Sequence, residues 1–224
     1  MWAELRTIAT YPFVDIQNYL VLSVVVGIIG FVPMIGSLLS QCLLVAYGFQ
    51  ALSSVASGDL SGYRPSLGNI EDLADPLILA LCALFISQGP SMVLSLYISP
   101  VSMLQALLNG ANPLIAALVA FTILWGVLYM PIALVVASES RSSLDTLNPL
   151  QGIRLVGRMG GAYWQALTIF IAISIAQQIA LFPFQRIHIP VIGNFAVAFI
   201  SAYAYLCIGC ALGFTVFKKI PELA

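Results

Sequence analysis

Residues 113–137 read PLIAALVAFTILWGVLYMPIALVVA, a run of 25 residues that contains no charged side chain. A transmembrane helix needs about 20 predominantly apolar residues to cross a hydrocarbon core of about 30 Å. The run is therefore long enough to cross a bilayer as one helix. Because its apolar residues do not alternate with polar ones, it predicts a helix rather than a strand of a membrane barrel.

Five further apolar runs flank this stretch on both sides. Charged residues make up 8% of the 224-residue chain and hydrophobic residues 61%, whereas soluble domains carry about 25% charged residues. We therefore predict an all-α fold, a polytopic transmembrane helical bundle in which residues 1–224 form a single transmembrane domain. The six predicted spans are residues 16–31, 37–55, 76–97, 113–137, 163–184 and 191–217.

The distribution of basic residues predicts the orientation of the bundle. With six spans both termini lie on one side of the membrane, and cytoplasmic loops carry an excess of Lys and Arg. One side has only Arg186. The other side has seven basic residues, namely Arg6, Arg64, Arg141, Arg154, Arg158, Lys218 and Lys219. We expect a multi-pass protein of the cell inner (plasma) membrane with cytoplasmic N- and C-termini.

The two cytoplasmic linkers predict short amphipathic helices that lie in the membrane interface. In the first linker, Leu67, Ile70 and Leu73 share one face at helical spacing. In the second linker, Asn148 is a favourable N-cap and Pro149 a favourable first-turn residue. The outward loops, including residues 99–112, are short and nearly uncharged, and they predict no further helix.

The charges of the two linkers are opposite, which suggests ion pairs between them. The candidate partners are Glu71, Asp72 and Asp75 in the first linker and Arg154 and Arg158 in the second. The alternative is that the acids are solvated and the arginines meet lipid phosphate or water. Exposed ion pairs contribute only about 0–1 kcal/mol, so such pairing would serve geometry more than stability.

Polar residues inside the spans are few, and ionisable ones lie only at span ends. Gln88 stands beside Gly89 and Pro90, and Gln177 and Gln178 lie in the middle of the fifth span. Pro90 frees a backbone carbonyl, so a small polar pocket formed by Gln88, Pro90, Gln177 and Gln178 is one interpretation. The other is that these glutamines hydrogen-bond between helices and hold the bundle together.

The last span contains two overlapping motifs. Cys207 and Cys210 have the C-x-x-C spacing of redox and metal sites, but their surroundings are apolar. Gly209 and Gly213 are four residues apart, a spacing that lets helices approach closely. We therefore predict helix packing at these glycines rather than redox or metal chemistry.

No motif in the chain predicts catalysis or a bound cofactor. His188 is the only histidine, and no P-loop, Gly-x-Ser-x-Gly or His-Glu-x-x-His motif occurs. The net charge is −1 and the eight Lys and Arg residues are dispersed, so a nucleic-acid partner is not expected. We expect no enzymatic activity, no cofactor and no metal.

Two segments carry a family resemblance. In the first, two spans joined by a Pro/Gly hairpin continue with Ala46-Tyr47-Gly48, Ser57-Gly58-Asp59, Arg64-Pro65 and the stretch Ile70–Leu73. In the second, the basic helix Leu147–Arg154 precedes a span that begins near Tyr163. Both resemble a widespread bacterial and archaeal family of polytopic membrane proteins classed as a domain of unknown function. The resemblance implies six helices and assigns no functional residue.

These observations leave two classes of function open. The near-absence of buried charge favours a non-catalytic membrane-embedded subunit or scaffold that docks lipids, other membrane protein subunits or a second copy of itself. The alternative is a transporter or permease for an apolar or zwitterionic compound, including the membrane part of an ATP-driven exporter. A weak repeat supports the alternative, because the second, fourth and sixth spans begin with Pro33, Pro113 and Pro190 in similar contexts.

Overall fold

The computed structural model describes residues 2–32, 35–62, 71–109, 112–184 and 190–223. Within these ranges the chain contains no β-strand, which confirms the predicted all-α class. A 3-10 turn, Tyr11–Phe13, follows the first helix. The α-helices are α1 (Trp2–Thr10), α2 (Ile16–Ile29), α3 (Ile35–Ala56), α4 (Glu71–Tyr97), α5 (Pro100–Asn109), α6 (Pro113–Ser140), α7 (Ser143–Thr146), α8 (Pro149–Met159), α9 (Gly161–Leu181) and α10 (Pro190–Leu223).

Five of the described helices are long and apolar enough to cross a membrane. They are α3, the part of α4 from Ala74, α6, α9, and the part of α10 from Val191 to Lys218. These helices coincide with the predicted spans 37–55, 76–97, 113–137, 163–184 and 191–217, with ends that differ by a few residues. The chain is therefore a multi-pass membrane protein.

The first predicted span, residues 16–31, is only part of a bent pair of helices. Because α2 has 14 residues, it is about 21 Å long, too short for a hydrocarbon core of about 30 Å. The segments Glu4–Phe13 and Ile16–Ile29 meet at 66°. The bend falls at Asp15, whose carboxylate accepts a hydrogen bond from the Asn18 N–H (3.2 Å) and caps α2.

The bent pair runs antiparallel to α10 along most of its length. Glu4 contacts Lys218 at one end (2.6 Å), and the Gly27 backbone lies against the Phe195 ring at the other. Between them, the Tyr19 hydroxyl donates to the Phe199 carbonyl (3.1 Å). Residues 195 to 218 rise about 35 Å along a helix. The two pieces together therefore accompany enough of α10 to form the sixth span.

Glycines bring α3 and α10 into backbone contact. A Cβ atom on Gly209 would overlap the Gly48 carbonyl oxygen, and one on Gly213 would lie 2.7 Å from the Leu52 carbonyl oxygen. Residue numbers increase in the same direction along both helices at these contacts, so α3 and α10 are parallel. Small residues at a membrane helix interface permit this close approach.

The bundle has three central helices and two peripheral ones. In α3, α6 and α10, 61% of the most apolar stretch is buried, against 28% in α4 and 17% in α9. The core consists of two apolar clusters, and each of them includes side chains of both α3 and α10. One continues onto α4, α6 and α9, and the other onto α1 and α2. The exposed apolar faces of α4 and α9 are those expected of helices that face lipid.

Pro90 lies inside α4 and interrupts the backbone hydrogen bonds of that helix. A side chain of α6 replaces the missing donor. Because proline has no N–H, the Ile86 carbonyl four residues earlier loses its helical donor. The Trp125 indole N–H of α6 donates to this carbonyl (3.1 Å). The Trp125 ring also stacks on Tyr129, with centroids 4.7 Å apart. The hydrogen bond lost at Pro90 is therefore replaced by one from α6, and α4 continues to Tyr97 without the predicted interruption.

The connections differ in part from the predicted ones. Residues 99–112 were predicted as a loop, but Pro100–Asn109 forms α5, with apolar residues at helical spacing. In the first linker, residues 63–70 lie outside the described part, and α4 runs through Pro76 without a break. The second linker holds α8 as predicted, and the Asn148 side chain accepts from the Leu150 N–H (3.1 Å).

Substitution of Gly209 tests the α3–α10 contact. In Gly209→Ala the added methyl group meets the backbone of α3, which cannot move aside as a flexible side chain can, so the helices must separate. We expect a loss of about 1–3 kcal/mol in unfolding free energy, as for other overpacked cores. Thermal unfolding in mild detergent measures it. Gly157→Ala is the matched control, because its Cβ would meet no atom within 4 Å; equal midpoints for both variants would contradict the contact.

A double-mutant cycle tests the repair of α4 at Pro90. Trp125→Phe removes the indole donor and leaves the Ile86 carbonyl without it, which we expect to cost about 1 kcal/mol. Pro90→Ala restores an N–H at position 90 that can bond to the same carbonyl. Trp125→Phe should therefore destabilise the Pro90→Ala background less than the wild type. Purely additive midpoint shifts would show that the hydrogen bond has no role.

Candidate functional site

A polar cavity of about 580 Å³ lies at the end of the bundle where α3 ends, α4 begins and α6 turns into α7. Apolar side chains, among them Phe49 and Leu79, form part of its wall. Its polar lining comes from three segments of the chain. The polar residues are Gln50, Ser53 and Ser54 of α3, Asp75 of α4, Arg141 at the end of α6 and Ser143 of α7.

Gln50 is the buried polar group of this cavity. Its i, i+3 and i+4 relation to Ser53 and Ser54 places all three on one face of α3. The side chain is 6% exposed, and its Oε1 has no hydrogen-bond partner among the described residues. A buried acceptor without a partner costs about 1–3 kcal/mol. Gln50 therefore lines the cavity with a side chain whose buried Oε1 receives no donor from the described residues.

Arg141 and Asp75 provide opposite charges in the same cavity. Arg141 ends α6 in the left-handed conformation (φ 49°), and its N–H donates to the Ala137 carbonyl (3.1 Å). This conformation is uncommon for residues other than glycine and reverses the chain at a helix end. Asp75 is exposed near the start of α4. No nitrogen–oxygen distance of 4 Å or less joins these two described side chains.

The cavity combines groups that suit a small zwitterion. The Asp75 carboxylate and the Gln50 amide oxygen can accept hydrogen bonds from an ammonium group. The Arg141 guanidinium presents planar donors that match a carboxylate. Hydroxyl groups of Ser53, Ser54 and Ser143 can donate or accept. The arrangement places one positive and one negative side chain, with several hydroxyl groups, around a single space.

Sequence reasoning did not single out Gln50, although a signal was present. Gln50, Ser53 and Ser54 are polar residues at helical spacing in an otherwise apolar span. The pattern gives their common face, but it does not show that α4 and the α6–α7 turn enclose a cavity there. Asp75 was one of three candidate acids for an ion pair with Arg154 or Arg158, with solvation as the alternative, and in the structure it lines the cavity together with Arg141.

Gln88 and Gln177 of the predicted polar pocket lie in two separate helix contacts. The Gln88 amide packs over Gly126 of α6. Gly126 is the residue after Trp125, whose indole N–H donates to the Ile86 carbonyl. The Gln177 Nε2 donates to the Ser201 hydroxyl of α10 (3.1 Å), and Gln178 is exposed. The contacts of Gln88 and Gln177 therefore run to different helices. A ligand role for these glutamines stays a prediction.

The structure describes the side chains of three of the five residues predicted to form linker ion pairs, namely Asp75, Arg154 and Arg158. The side chains of Glu71 and Asp72 lie outside the described part of the structure, so their pairing stays a prediction. Arg154 and Arg158 are exposed and line a second pocket together with Glu139 and Asp145. No ion pair within 4 Å joins Asp75 to either arginine. The pair at 2.6 Å between described side chains is Lys218 with Glu4.

The glycine and cysteine motifs of the last span contact different helices. Gly209 and Gly213 lie in the α3–α10 contact described above. The Cys207 thiol donates to the Ile8 carbonyl (3.3 Å), and Cys210 is buried. Among the described residues, no group of three or more His, Cys, Asp or Glu side chains is arranged to hold a metal ion.

The chain was compared with known proteins at three levels. No protein-family model, no curated protein sequence and no solved structure matches it. The resemblance to a family of polytopic membrane proteins therefore stays a prediction, and the function is argued from the geometry of this chain.

Proposed function

We propose that this membrane protein binds a small zwitterionic solute in the Gln50 cavity and acts as a transporter or permease without catalytic activity. The observation that carries the proposal is a cavity in which Asp75 and Arg141 supply opposite charges beside Gln50, whose buried Oε1 has no partner among the described residues. Clefts with a few convergent polar groups are typical binding sites. The location at one end of a membrane bundle supports transport rather than chemistry.

The acceptor on Gln50 favours solutes whose ammonium group carries hydrogen atoms. A primary ammonium group can donate to both Gln50 and Asp75, whereas a quaternary ammonium group has no hydrogen to donate. We therefore expect a neutral amino acid to bind better than its trimethylated betaine. The apolar side chains of Phe49 and Leu79 would contact the carbon skeleton of the solute.

A second candidate function is a membrane-embedded subunit that docks a partner membrane protein or a second copy of this chain. The observation that favours it is the exposed apolar face of α9, on which Ile175 and Ile179 are 55% and 69% exposed. Lipid can cover such a face as well as a partner can. Co-purification from the native membrane in mild detergent distinguishes them, because a monodisperse single chain would contradict the subunit function.

Binding to the purified protein tests the proposed solute class. Neutral amino acids and glycine betaine are added to the protein in detergent, and the unfolding midpoint is followed. We expect at least one amino acid to raise the midpoint, since a ligand that binds only the folded state stabilises it. Betaine should have a smaller effect. Absence of any shift across the neutral amino acids would contradict the proposal, and uptake into proteoliposomes tests the transport step.

Substitution of Gln50 separates a binding role from a structural one. Gln50→Leu removes an unpartnered buried acceptor, so the ligand-free protein should keep or gain stability. Amino-acid binding should weaken about tenfold or more, because a hydrogen bond to a charged group contributes about 1.5–3 kcal/mol. Gln178→Leu, at an exposed glutamine of α9, is the matched control. A destabilised Gln50→Leu protein with unchanged affinity would indicate a structural role alone.

We further propose that the end of the bundle with the Gln50 cavity faces the cytoplasm of a cell with an inner (plasma) membrane. Five described basic residues lie at this end, and they are Arg6, Arg141, Arg154, Arg158 and Lys218. The Lys218–Glu4 contact supports termini on the same side. An excess of basic residues is typical of the cytoplasmic face.

Thiol labelling tests this orientation. Leu144 of α7 and Leu108 of α5 are 82% and 75% exposed and lie toward opposite ends of the bundle. Each is replaced by cysteine in a chain whose native cysteines are alanine. A membrane-impermeant reagent should label Leu108→Cys in intact spheroplasts and Leu144→Cys only after permeabilisation. The reverse pattern would invert the proposed orientation.

A further inference from the structure

A second charged pocket lies on the other side of the α6–α7 turn from Arg141. Its volume is about 200 Å³, and it is enclosed by the end of α6, by α7 and by α8. Val136 and Leu155 form its apolar floor. The polar residues that line it are Glu139, Ser140, Asp145, Gln151, Arg154 and Arg158.

The four charges of this pocket are balanced but not joined to one another. Arg154 and Arg158 are one turn apart on α8 and face the pocket from one wall, while Glu139 and Asp145 face it from α6 and α7. No nitrogen–oxygen distance of 4 Å or less links these described side chains. Two positive and two negative groups around one space can each bind the opposite charge of a single ligand.

The position of the pocket on α8 indicates what kind of ligand reaches it. Leu150 and Ile153 of this amphipathic helix are 58% and 56% exposed, although both are apolar. A helix of this kind lies in the membrane interface with its apolar residues toward the acyl chains. Arg154 lies about 100° around α8 from Ile153, so the face with the arginines adjoins the apolar face. A molecule that binds the arginines from this side has a polar head at the pocket and apolar chains beside Leu150 and Ile153.

We propose that this pocket binds the headgroup of a phospholipid that carries both a phosphate and a primary ammonium group, the phosphatidylethanolamine class. Arg154 and Arg158 bind the phosphate oxygens, for which guanidinium groups have matching donor geometry. Glu139 and Asp145 accept hydrogen bonds from the ammonium group. The same carboxylates disfavour an anionic headgroup such as phosphatidylglycerol. A choline headgroup has no N–H to donate to them.

The proposal is independent of the solute cavity, and the wild-type protein alone can test it. The protein is reconstituted into nanodiscs with equal parts of phosphatidylethanolamine, phosphatidylcholine and phosphatidylglycerol of identical acyl chains. It is then released in mild detergent, and the retained lipid is identified by native mass spectrometry. We expect phosphatidylethanolamine to be retained about tenfold over phosphatidylcholine, because two hydrogen bonds to charged groups distinguish them. Equal retention of the three lipids would overturn the assignment.

Two double variants assign the parts of the headgroup. Arg154→Gln with Arg158→Gln should reduce retention of phosphatidylethanolamine and phosphatidylglycerol alike, because both carry phosphate. Glu139→Gln with Asp145→Asn should remove the preference for phosphatidylethanolamine while phosphatidylglycerol is retained as well or better. Arg6→Gln, at an exposed arginine of α1 that lines neither pocket, is the matched control. Unchanged lipid preference in the acidic double variant would contradict the proposal.

Two further measurements distinguish loss of lipid binding from loss of folding, and a lipid site from a site for a soluble headgroup. The unfolding midpoint of each variant shows whether it is folded, and a variant that does not fold leaves the wild-type lipid comparison as the decisive test. Water-soluble phosphoethanolamine is added to the wild-type protein in nanodiscs of phosphatidylcholine alone. Binding of this solute as tight as that of the lipid would contradict a lipid site, since the contribution of Leu150 and Ile153 would then be nil.

Discussion

Backbone contact between α3 and α10 is the constraint on which the rest of the bundle depends. Hydrocarbon offers apolar side chains little advantage in leaving lipid for protein, so close packing has to supply the attraction between helices. Gly48, Gly209 and Gly213 supply it, because no side chain separates the two backbones. The bent pair α1–α2 then follows the outer face of α10, while α4, α6 and α9 form the other side of the core.

Backbone groups released inside the membrane are satisfied by side chains of neighbouring helices. The carbonyl freed by Pro90 receives the Trp125 indole N–H, and the Tyr163 hydroxyl donates to the Leu128 carbonyl of α6. An unpaired carbonyl in hydrocarbon is costly, so the Trp125 donor compensates for the proline in α4. These hydrogen bonds also orient α6 against α4 and α9. Polar side chains in the spans thus serve mainly to join helices, and Gln50 differs from them because it lines a cavity and its Oε1 has no partner among the described residues.

Charge is concentrated at one end of the bundle, where the α6–α7 turn separates two pockets. The left-handed conformation of Arg141 directs the chain from a span into α7. Arg141 and Ser143 then line the Gln50 cavity, while Glu139 and Asp145 line the pocket beside α8. A strained turn of this kind persists only where the surrounding structure holds it. The turn therefore contributes residues to both the Gln50 cavity and the pocket beside α8.

Much of the fold follows from local pattern, because a membrane span and a helix cap depend on consecutive residues. The five long spans, the α8 helix with its Asn148 cap and the all-α class were predictable in this way. The helical spacing of Gly209 and Gly213 also indicated a packing face, although it did not name α3 as the partner. The loop predicted at residues 99–112 was wrong for α5, because a short apolar helix lacks the length signal of a span.

What the sequence by itself determined is the medium of this protein and the all-α class of its bundle, since those depend on apolar length and on the scarcity of charge. The tertiary structure decided which polar groups meet. Asp75 lies with Arg141 and Gln50, Arg154 and Arg158 lie with Glu139 and Asp145, and Gln88 and Gln177 lie in separate contacts. Most of these residues belong to different helices. Only the packing of α3, α4, α6 and α8 brings them within reach, and no periodicity along a single helix encodes which helix will stand beside it.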